Sequence, residues 1–269
     1  MHPVLKVENL CKRYAKRSLI GKSVELLALD RVSFTIFSGT TLAIVGESGS
    51  GKSTLASCLA CLEHPSSGSI RFAEKEIANL SENELRNLRP QIQLIFQDPA
   101  NSLNPRWNAL EILLEPLSIA NKLTRAESKH RAAFHLERVG LSQKILKRPA
   151  NELSGGQRQR LAIARALTLE PKVLILDEAL SALDCSVQAQ IVNLLLDLQT
   201  SLGMTYLFIT HDLAMAAHLA DQIAVMNRGR IVEQGPAHKV LQQPDNETTR
   251  QLLAAIPRMP NATLPVEER

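Results

Sequence analysis

Short apolar runs along the chain alternate with segments in which apolar residues recur at helical spacing. Several runs are nearly continuous Ile, Val and Leu, which is typical of strands that are covered on both faces. The strand-like runs are Val4–Leu10, Val32–Ile36, Leu42–Val45, Ile92–Phe96, Val173–Leu176, Tyr206–Ile209 and Ile223–Met226. Helical patterns intervene, most clearly at Val187–Leu202 and Leu213–Ala220. This order predicts an α/β fold with a doubly wound core.

The pattern becomes mainly helical between about residues 98 and 168. Apolar positions recur at helical spacing in Ala109–Leu117, Arg125–Val139 and Gln157–Leu167. We therefore predict a helical subdomain inserted into the α/β core.

The C-terminal part of the chain predicts two short helices and a tail. The helices are expected around His238–Gln242 and Thr248–Ile256. The prolines and polar residues of Pro257–Arg269 are typical of a weakly ordered segment. We therefore expect one domain over residues 1–256, followed by a weakly ordered tail at 257–269.

Composition and charge argue against several classes of protein. The formal net charge of +4 is modest, whereas a nucleic-acid-binding protein concentrates its basic residues in a patch or stripe. No stretch approaches the roughly 18 apolar residues that span a bilayer. The first residues lack the pattern of a secretory leader. We therefore expect a soluble chain of the cytoplasm that binds no nucleic acid.

A glycine-rich segment at residues 46–54 carries the first candidate chemistry. It follows the apolar run Thr41–Val45 and precedes a predicted helix, Ser53–Ala60. A strand, a loop with the spacing G-x-x-x-x-G-K-S and a helix define a P-loop, whose backbone N–H groups cradle phosphate oxygens. Lys52 would pair with the β- and γ-phosphates of a nucleoside triphosphate, and the Ser53 hydroxyl would bind Mg²⁺. The candidate nucleotide-binding residues are Gly46, Glu47, Ser48, Gly49, Ser50, Gly51, Lys52, Ser53 and Thr54. The alternative is a glycine-rich turn with an incidental lysine.

The four cysteines form no recognisable disulfide framework. Cys58 and Cys61 have CxxC spacing, but both fall on the helix predicted after the P-loop. No second cysteine pair completes a metal site, so we interpret them as small apolar residues on one helical face.

Two acidic residues follow another buried strand. Asp177 and Glu178 end the apolar run that starts at Val173, and strand-end acids at the carboxyl edge of an α/β sheet lie where ligands bind. Asp177 is therefore a candidate Mg²⁺ ligand, and Glu178 is a candidate general base for an attacking water. The alternative is a strand followed by a polar turn.

A second Ser/Gly-rich loop precedes a predicted helix. The sequence Leu-Ser-Gly-Gly-Gln occupies residues 153–157, and a helix N-terminus of this kind can bind an anion. Taken alone, the loop favours a helix cap, in which Ser154 and the glycines only start the helix.

Together, these three elements resemble the ATP-binding cassette (ABC) ATPases, over about residues 4 to 256. The family's LSGGQ signature is matched without departure by Leu153, Ser154, Gly155, Gly156 and Gln157. The resemblance implies further roles for matching residues. Gln97 matches the Q-loop glutamine that contacts Mg²⁺, and Ser181–Asp184 match the D-loop, with Asp184 near the nucleotide. His211 matches the switch histidine at the γ-phosphate, and Tyr14 matches the aromatic residue that stacks on adenine. One departure is Ala179, where the family usually has proline.

The resemblance implies a fold and a function. The fold is a RecA-like P-loop NTPase core with an inserted helical subdomain and an N-terminal β subdomain. The residues 97–106, Gln-Asp-Pro-Ala-Asn-Ser-Leu-Asn-Pro-Arg, and the sequence Thr-Arg-Gln-Leu-Leu at 249–253 resemble ATPases of dipeptide, oligopeptide and nickel importers. We therefore expect an ATP- and Mg²⁺-dependent ATPase that powers uptake of peptides, nickel or a related small solute.

The same resemblance implies partners and a location. It implies two ATPase subunits, identical or different, that sandwich two ATP molecules, with the P-loop of one facing residues 154–156 of the other. Permease subunits would be driven directly and a substrate-binding protein indirectly, from the cytoplasmic face of the cell membrane. The alternatives are a soluble ABC protein that acts on ribosomes or nucleic acid, and a cassette that binds ATP only to regulate.

Overall fold

The computed structural model describes residues 2–16, 24–97, 102–120 and 123–255. The chain divides into two compact units. The first comprises Met1–Asn87 and Thr205–Arg269, and the second comprises Leu88–Met204. The strands are β1 (Pro3–Lys16), β2 (Val24–Phe37), β3 (Thr41–Val45), β4 (Ser67–Phe72), β5 (Lys75–Glu76), β6 (Ile92–Ile95), β7 (Val173–Asp177), β8 (Thr205–Thr210), β9 (Gln222–Asn227) and β10 (Arg230–Pro236). The α-helices are α1 (Lys52–Leu59), α2 (Glu82–Leu88), α3 (Ala109–Ala120), α4 (Arg125–Arg138), α5 (Gly155–Leu167), α6 (Cys185–Leu202), α7 (Leu213–Leu219), α8 (Ala237–Gln242) and α9 (Glu247–Ala254).

An antiparallel sheet in the first unit contains the N-terminal strands. Its order is β2-β1-β4-β5, and Leu5 and Leu10 of β1 are completely buried. The two strands predicted in this region are present, but both are longer than predicted. As a result Tyr14, near the end of β1, pairs with Leu26 of β2.

The parallel strands of the first unit end at a common edge. β3 pairs in parallel with β8 on one side and with β9 on the other, and β10 pairs antiparallel with β9. All residues of β3 and β8 are buried, which explains their continuous apolar pattern. Val45 lies opposite Thr210. The next residues, Gly46 and His211, therefore leave the same edge of the sheet.

The second unit combines two parallel strands with packed helices. β6 pairs with β7, and Ile95 lies opposite Leu176. Helices α3, α4 and α5 pack against one another, and α6 packs on α5. The helices bury apolar side chains such as Leu113, Leu136 and Leu161, which are 0% exposed, and each such burial stabilises the fold by about 2 kcal/mol. The three helices predicted here are present, while the subdomain boundary of about 98–168 stays a prediction.

None of the helices in the described ranges has both the length and the apolar character needed to cross a membrane.

Candidate functional site

Two glycines of the P-loop have no room for a side chain. A Cβ atom on Gly46 would lie 2.2 Å from the Met226 carbonyl oxygen, and one on Gly51 would lie 2.4 Å from the Ala28 carbonyl oxygen. Gly51 also has φ of 106° and forms the N-cap of α1. Because glycine has no side chain to cap the helix, the first-turn N–H groups of α1 point into the loop. An anion there can accept hydrogen bonds from these N–H groups.

The turn between β9 and β10 is hydrogen-bonded to the backbone of the P-loop. The Gly229 N–H donates a hydrogen bond of 2.8 Å to the Ser50 carbonyl, and the Asp30 N–H donates one of 2.8 Å to the Gly229 carbonyl. The Arg230 Nε donates to the Asp30 carboxylate at 2.6 Å. Residues about 180 positions away in sequence thus fix the backbone of the loop, and sequence patterns alone did not indicate them.

Lys52 spans the loop from the first residue of α1. Its Nζ donates hydrogen bonds of 2.8 Å to the carbonyl oxygens of Gly46 and Glu47. The residue is only 4% exposed, so these carbonyls replace water as partners of the ammonium group. A positive charge is therefore held in place within the loop.

His211 lies at the strand edge from which the P-loop leaves. It follows β8 directly, and Asp212 then caps α7 by accepting hydrogen bonds from the N–H groups of Ala214 and Met215 at 2.8 and 3.0 Å. The strand and the capped helix fix the backbone on both sides of His211, and His211 itself is exposed. The first unit therefore brings the P-loop, Lys52 and His211 to one edge of one sheet.

Tyr14 is half-buried in β1 of the same unit. Its hydroxyl donates a 2.5 Å hydrogen bond to the Glu63 carboxylate, and the Lys12 ammonium lies 5.0 Å from the ring centroid. The partner Glu63 follows the end of α1, and the sequence patterns did not indicate it.

In the second unit, three predicted site residues lie at the ends of two paired strands. Asp177 is the last residue of β7 and is 8% exposed. Ile95 is paired with Leu176, so Gln97 and Glu178 each follow two residues after this last strand pair. The Gln97 Nε2 donates to the Ser181 hydroxyl at 3.5 Å, and that hydroxyl donates to the Glu178 carbonyl at 2.9 Å. Ser181 thus connects the two loops.

Glu178 adopts an unusual backbone conformation, with φ of 46°. A non-glycine residue in this left-handed region costs of order 1–3 kcal/mol and is often found where function requires a fixed orientation. The strain therefore falls on the candidate general base itself.

The signature loop forms a reciprocal cap at the start of α5. The Gln157 N–H donates to the Ser154 hydroxyl at 3.2 Å, and the Ser154 N–H donates to the Gln157 side-chain oxygen at 3.1 Å. A Cβ on Gly156 would lie 2.8 Å from a methyl carbon of Val187 in α6, so glycine allows the two helices to approach closely. The helix-cap interpretation is confirmed, and the anion-binding role stays a prediction.

Asp184 caps α6 in a similar way. Its carboxylate accepts hydrogen bonds of 2.9 Å from the Val187 N–H and from the Ser186 hydroxyl. The Val187 N–H bond, followed by the Ser186 bond, lowers the pKa of Asp184. Because α5 and α6 are in contact, both capped helix starts belong to one packed helix pair.

One prediction about the cysteines is wrong. Cys58 is buried on α1, as expected, but α1 ends at Leu59 and Cys61 lies beyond it with φ of 55°. Cys61 therefore does not share a helical face with Cys58. In the described ranges, no cluster of three or more His, Cys, Asp and Glu side chains could hold a metal ion. Residues 98–101, which belong to the segment 97–106 that resembles importer ATPases, and the predicted tail at 257–269 lie outside the described residues.

The chain belongs to the ABC transporter family, whose family model matches residues 29–181. It is 45% identical over 267 residues to the di/tripeptide transport ATP-binding protein DppF of Pseudomonas aeruginosa (strain UCBPP-PA14), over 98% of this chain and 83% of DppF. It is 49% identical over 257 residues to the glutathione import ATP-binding protein GsiA of Escherichia coli O157:H7, over 95% of this chain and 41% of GsiA. The chain thus spans about two fifths of the length of GsiA.

The fold is similar to that of the ATP-binding cassette MJ0796, solved as a dimer in a post-hydrolysis state bound to ADP and Pi. The TM-score is 0.77 at 31% identity, over 87% of this chain and 98% of that one. The comparisons confirm the predicted family, its α/β P-loop NTPase fold and the narrower resemblance to ATP-binding proteins of peptide importers. Membership of the family implies ATP binding, while the roles of the individual site residues stay predictions.

Proposed function

We propose that this chain is the ATP-hydrolysing subunit of an ABC importer that takes up peptides or a related small solute. The observation that carries the proposal is the P-loop, in which Lys52 is buried and held by the carbonyls of Gly46 and Glu47. The similarity to DppF, a di/tripeptide transport ATP-binding protein, and to GsiA, a glutathione import ATP-binding protein, supports a peptide-like cargo over nickel. These relatives give no support to a protein that acts on ribosomes.

In this proposal the residues of the first unit bind the nucleotide. The N–H groups of the P-loop and of the start of α1 donate hydrogen bonds to the phosphate oxygens, and Lys52 neutralises charge on the β- and γ-phosphates. Tyr14 stacks on adenine, and His211 contacts the γ-phosphate. An ammonium that is already in place needs no reorganisation as charge develops, which is the usual basis of electrostatic catalysis.

The residues of the second unit supply the acid–base chemistry. Glu178 accepts the proton of the attacking water, and its strained backbone fixes the direction of its carboxylate. Gln97 and Asp177 of this unit carry amide and carboxylate oxygens, and Ser53 of the first unit carries a hydroxyl oxygen; these are donors that Mg²⁺ prefers. When bound, Mg²⁺ neutralises charge on the phosphate oxygens.

The proposed assembly is a pair of ATPase subunits, identical or different, attached to permeases at the cytoplasmic face of the membrane. The dimeric state of MJ0796 with ADP and Pi supports the pairing. In the pair, Ser154, Gly155 and Gly156 of one subunit face the nucleotide on the P-loop of the other, with Gln157 and Asp184 alongside. A substrate-binding protein selects the cargo and acts on the ATPases only through the permeases.

Phosphate release by the purified chain tests the proposal. Lys52→Ala should lower ATP turnover by about 10²–10³, because a preorganised positive charge is lost. The control is Lys75→Ala, which removes an exposed lysine from the same unit. Turnover of Lys52→Ala near that of the wild type would contradict the assignment.

Glu178→Gln separates hydrolysis from binding. The amide cannot accept the proton of water, so turnover should fall by about 10²–10⁴ while ATP binding persists. Glu170→Gln is a matched control, because Glu170 also has positive φ, of 51°, and is exposed. Size-exclusion chromatography with Mg-ATP should show dimers for Glu178→Gln and monomers for Glu178→Gln/Ser154→Arg, with the cognate partner added if the pair is heteromeric. Dimers of the double variant would show that the signature loop is only a helix cap.

A further inference from the structure

The end of α1 places an acidic side chain next to Tyr14. The Leu62 N–H donates to the Ser57 carbonyl at 2.9 Å, and the Cys61 N–H donates to the Cys58 carbonyl at 3.2 Å. With Cys61 in the left-handed region, at φ of 55°, this is the Schellman pattern that ends many helices. The pattern turns the chain sharply, so the position of Glu63 is fixed relative to α1.

The Tyr14 hydroxyl has two hydrogen-bond partners. It donates to the Glu63 carboxylate at 2.5 Å, and the Thr54 side chain of α1 also hydrogen-bonds to it. The bond from Tyr14 is the first cause of the lowered pKa of Glu63, so this carboxylate is ionised at neutral pH. A phenol that donates to an ionised carboxylate makes a short, charge-assisted bond, stronger than a neutral one. These bonds hold the Tyr14 hydroxyl, and with it the position of the ring, next to the helix that starts in the P-loop.

Lys12 completes the arrangement from one face of the ring. Its Nζ lies 3.1 Å from the Glu63 carboxylate, donates to the His64 carbonyl at 2.7 Å and lies 5.0 Å from the centroid of the Tyr14 ring. The side chain of Lys12 is only 15% exposed, so the ammonium group is held in place. A base that stacks on Tyr14 would therefore use the opposite face.

We propose that Glu63 and Lys12 are positioning residues for the nucleotide base, which fix the Tyr14 ring and reserve one of its faces for stacking. This inference rests on the proposed function, in which Tyr14 stacks on adenine. Glu63 touches no nucleotide atom in this arrangement and acts through Tyr14. The expected signature is a loss of affinity that depends on the base and leaves binding of the phosphates unchanged.

Two ligands separate these contributions. A non-hydrolysable ATP analogue contains the base, whereas inorganic tripolyphosphate offers only the phosphates to the P-loop. Isothermal titration calorimetry with Mg²⁺ at constant ionic strength measures the Kd of each ligand for the purified chain. Tyr14→Ala should raise the Kd of the analogue about 5- to 150-fold, the factor that corresponds to loss of base stacking.

The variants of Glu63 test the inference. Glu63→Ala should raise the Kd of the analogue about three- to tenfold, as expected for loss of one hydrogen bond, and leave the Kd of tripolyphosphate unchanged. Glu63→Gln should restore part of the affinity, because its amide oxygen still accepts the bond from Tyr14. Tyr14→Phe should raise the Kd of the analogue by the same factor as Glu63→Ala. The double variant Tyr14→Phe/Glu63→Ala should raise it no further. Glu25→Ala is the control, since it removes an exposed carboxylate from the same pair of strands.

The outcomes distinguish the inference from the function on which it rests. Wild-type affinity of Glu63→Ala for the analogue, with weakened binding by Tyr14→Ala, overturns the positioning role and leaves the proposed function intact. An equal loss of affinity for tripolyphosphate also overturns it, because the effect is then a general structural one. If the wild-type chain binds neither ligand, the proposed function itself is wrong.

Discussion

Alanine substitutions at three P-loop glycines separate the two reasons why the loop needs glycine. At Gly46 there is no space for a side chain, because an added Cβ would lie 2.2 Å from the Met226 carbonyl oxygen. At Gly49 only the backbone conformation disfavours alanine, because φ is 79° but nothing lies within 4 Å of an added Cβ. At Gly51 both reasons apply, because φ is 106° and an added Cβ would lie 2.4 Å from the Ala28 carbonyl oxygen. We expect three different losses of stability.

The magnitudes follow from these geometries. Gly49→Ala should lower the free energy of unfolding by about 1 kcal/mol or less, because the left-handed strain of about 1–2 kcal/mol is partly offset by the smaller entropy of the unfolded chain. Gly46→Ala should cost about 1–3 kcal/mol, the usual effect of overpacking. Met226 pairs with Ile231 in the β9–β10 ladder, so its carbonyl oxygen cannot retreat without disturbing that ladder. Gly51→Ala combines strain with overpacking and should cost roughly 2–6 kcal/mol.

Urea unfolding followed by circular dichroism measures these differences. The slope with denaturant should stay constant across the three variants, so that changes in midpoint report stability. Tryptophan fluorescence gives a second signal, because Trp107 is the only tryptophan of the chain and belongs to the second unit. If Gly49→Ala were as destabilising as Gly51→Ala, or Gly46→Ala were neutral, the contacts described here would not explain the glycines.

Two further predictions concern positions outside the P-loop. His135 is 4% exposed, and burial, followed by Arg131 and Arg138, lowers its pKa from 6.5 to about 4. Only the unfolded state takes up this proton between those pH values, so the His135 contribution to the free energy of unfolding should fall by about 2 kcal/mol from about pH 7.5 to about pH 5. Urea titrations should show that His135→Leu lacks this part of the pH dependence, and an unchanged profile would contradict the assignment. Cys61→Gly should raise the free energy of unfolding by about 0.5–1 kcal/mol, because glycine adopts φ of 55° without strain, whereas Ala60→Gly, at φ of −76°, should lower it in the same assay.

The elements that sequence reasoning found are those with a regular apolar pattern. All seven predicted strands are present, and buried strands such as β3 and β8 match within a residue or two at each end. The missed strands β4, β5 and β10 have mixed or mostly exposed positions, and β5 and β10 lie at sheet edges. An edge strand needs no continuous apolar run, so the pattern that marks a buried strand is absent from it.

The missed helix α2 had a usable signal. Ser81 precedes it, and the Glu84 carboxylate accepts hydrogen bonds from the Ser81 N–H at 3.0 Å and from its hydroxyl at 2.8 Å. The spacing Ser-x-x-Glu is a known mark of a helix start. Helical periodicity does not indicate α2, because the helix is short and polar and has few apolar positions.

The candidate site divides in the same way. The P-loop, the strand-end acids and the signature loop are short local patterns, so sequence indicates them directly. The groups that hold them come from distant positions, as in the bonds from Gly229 to Ser50 and from Tyr14 to Glu63. No local pattern encodes such a contact, because it depends on the register of strands that are far apart in the chain.

The caps of α5 and α6 also bear on which helix start fits an anion. Both helices begin with a side-chain oxygen that accepts an N–H, from Ser154 in α5 and from Asp184 in α6. The Asp184 carboxylate, whose pKa is lowered by the bond from Val187, brings a negative charge to the partly positive end of α6. Ser154 is neutral, and Gly155 and Gly156 add no side chains, so the positive end of α5 remains uncompensated by its own cap. A helix cap and an anion site are therefore compatible at α5, whereas at α6 the anion is already part of the chain.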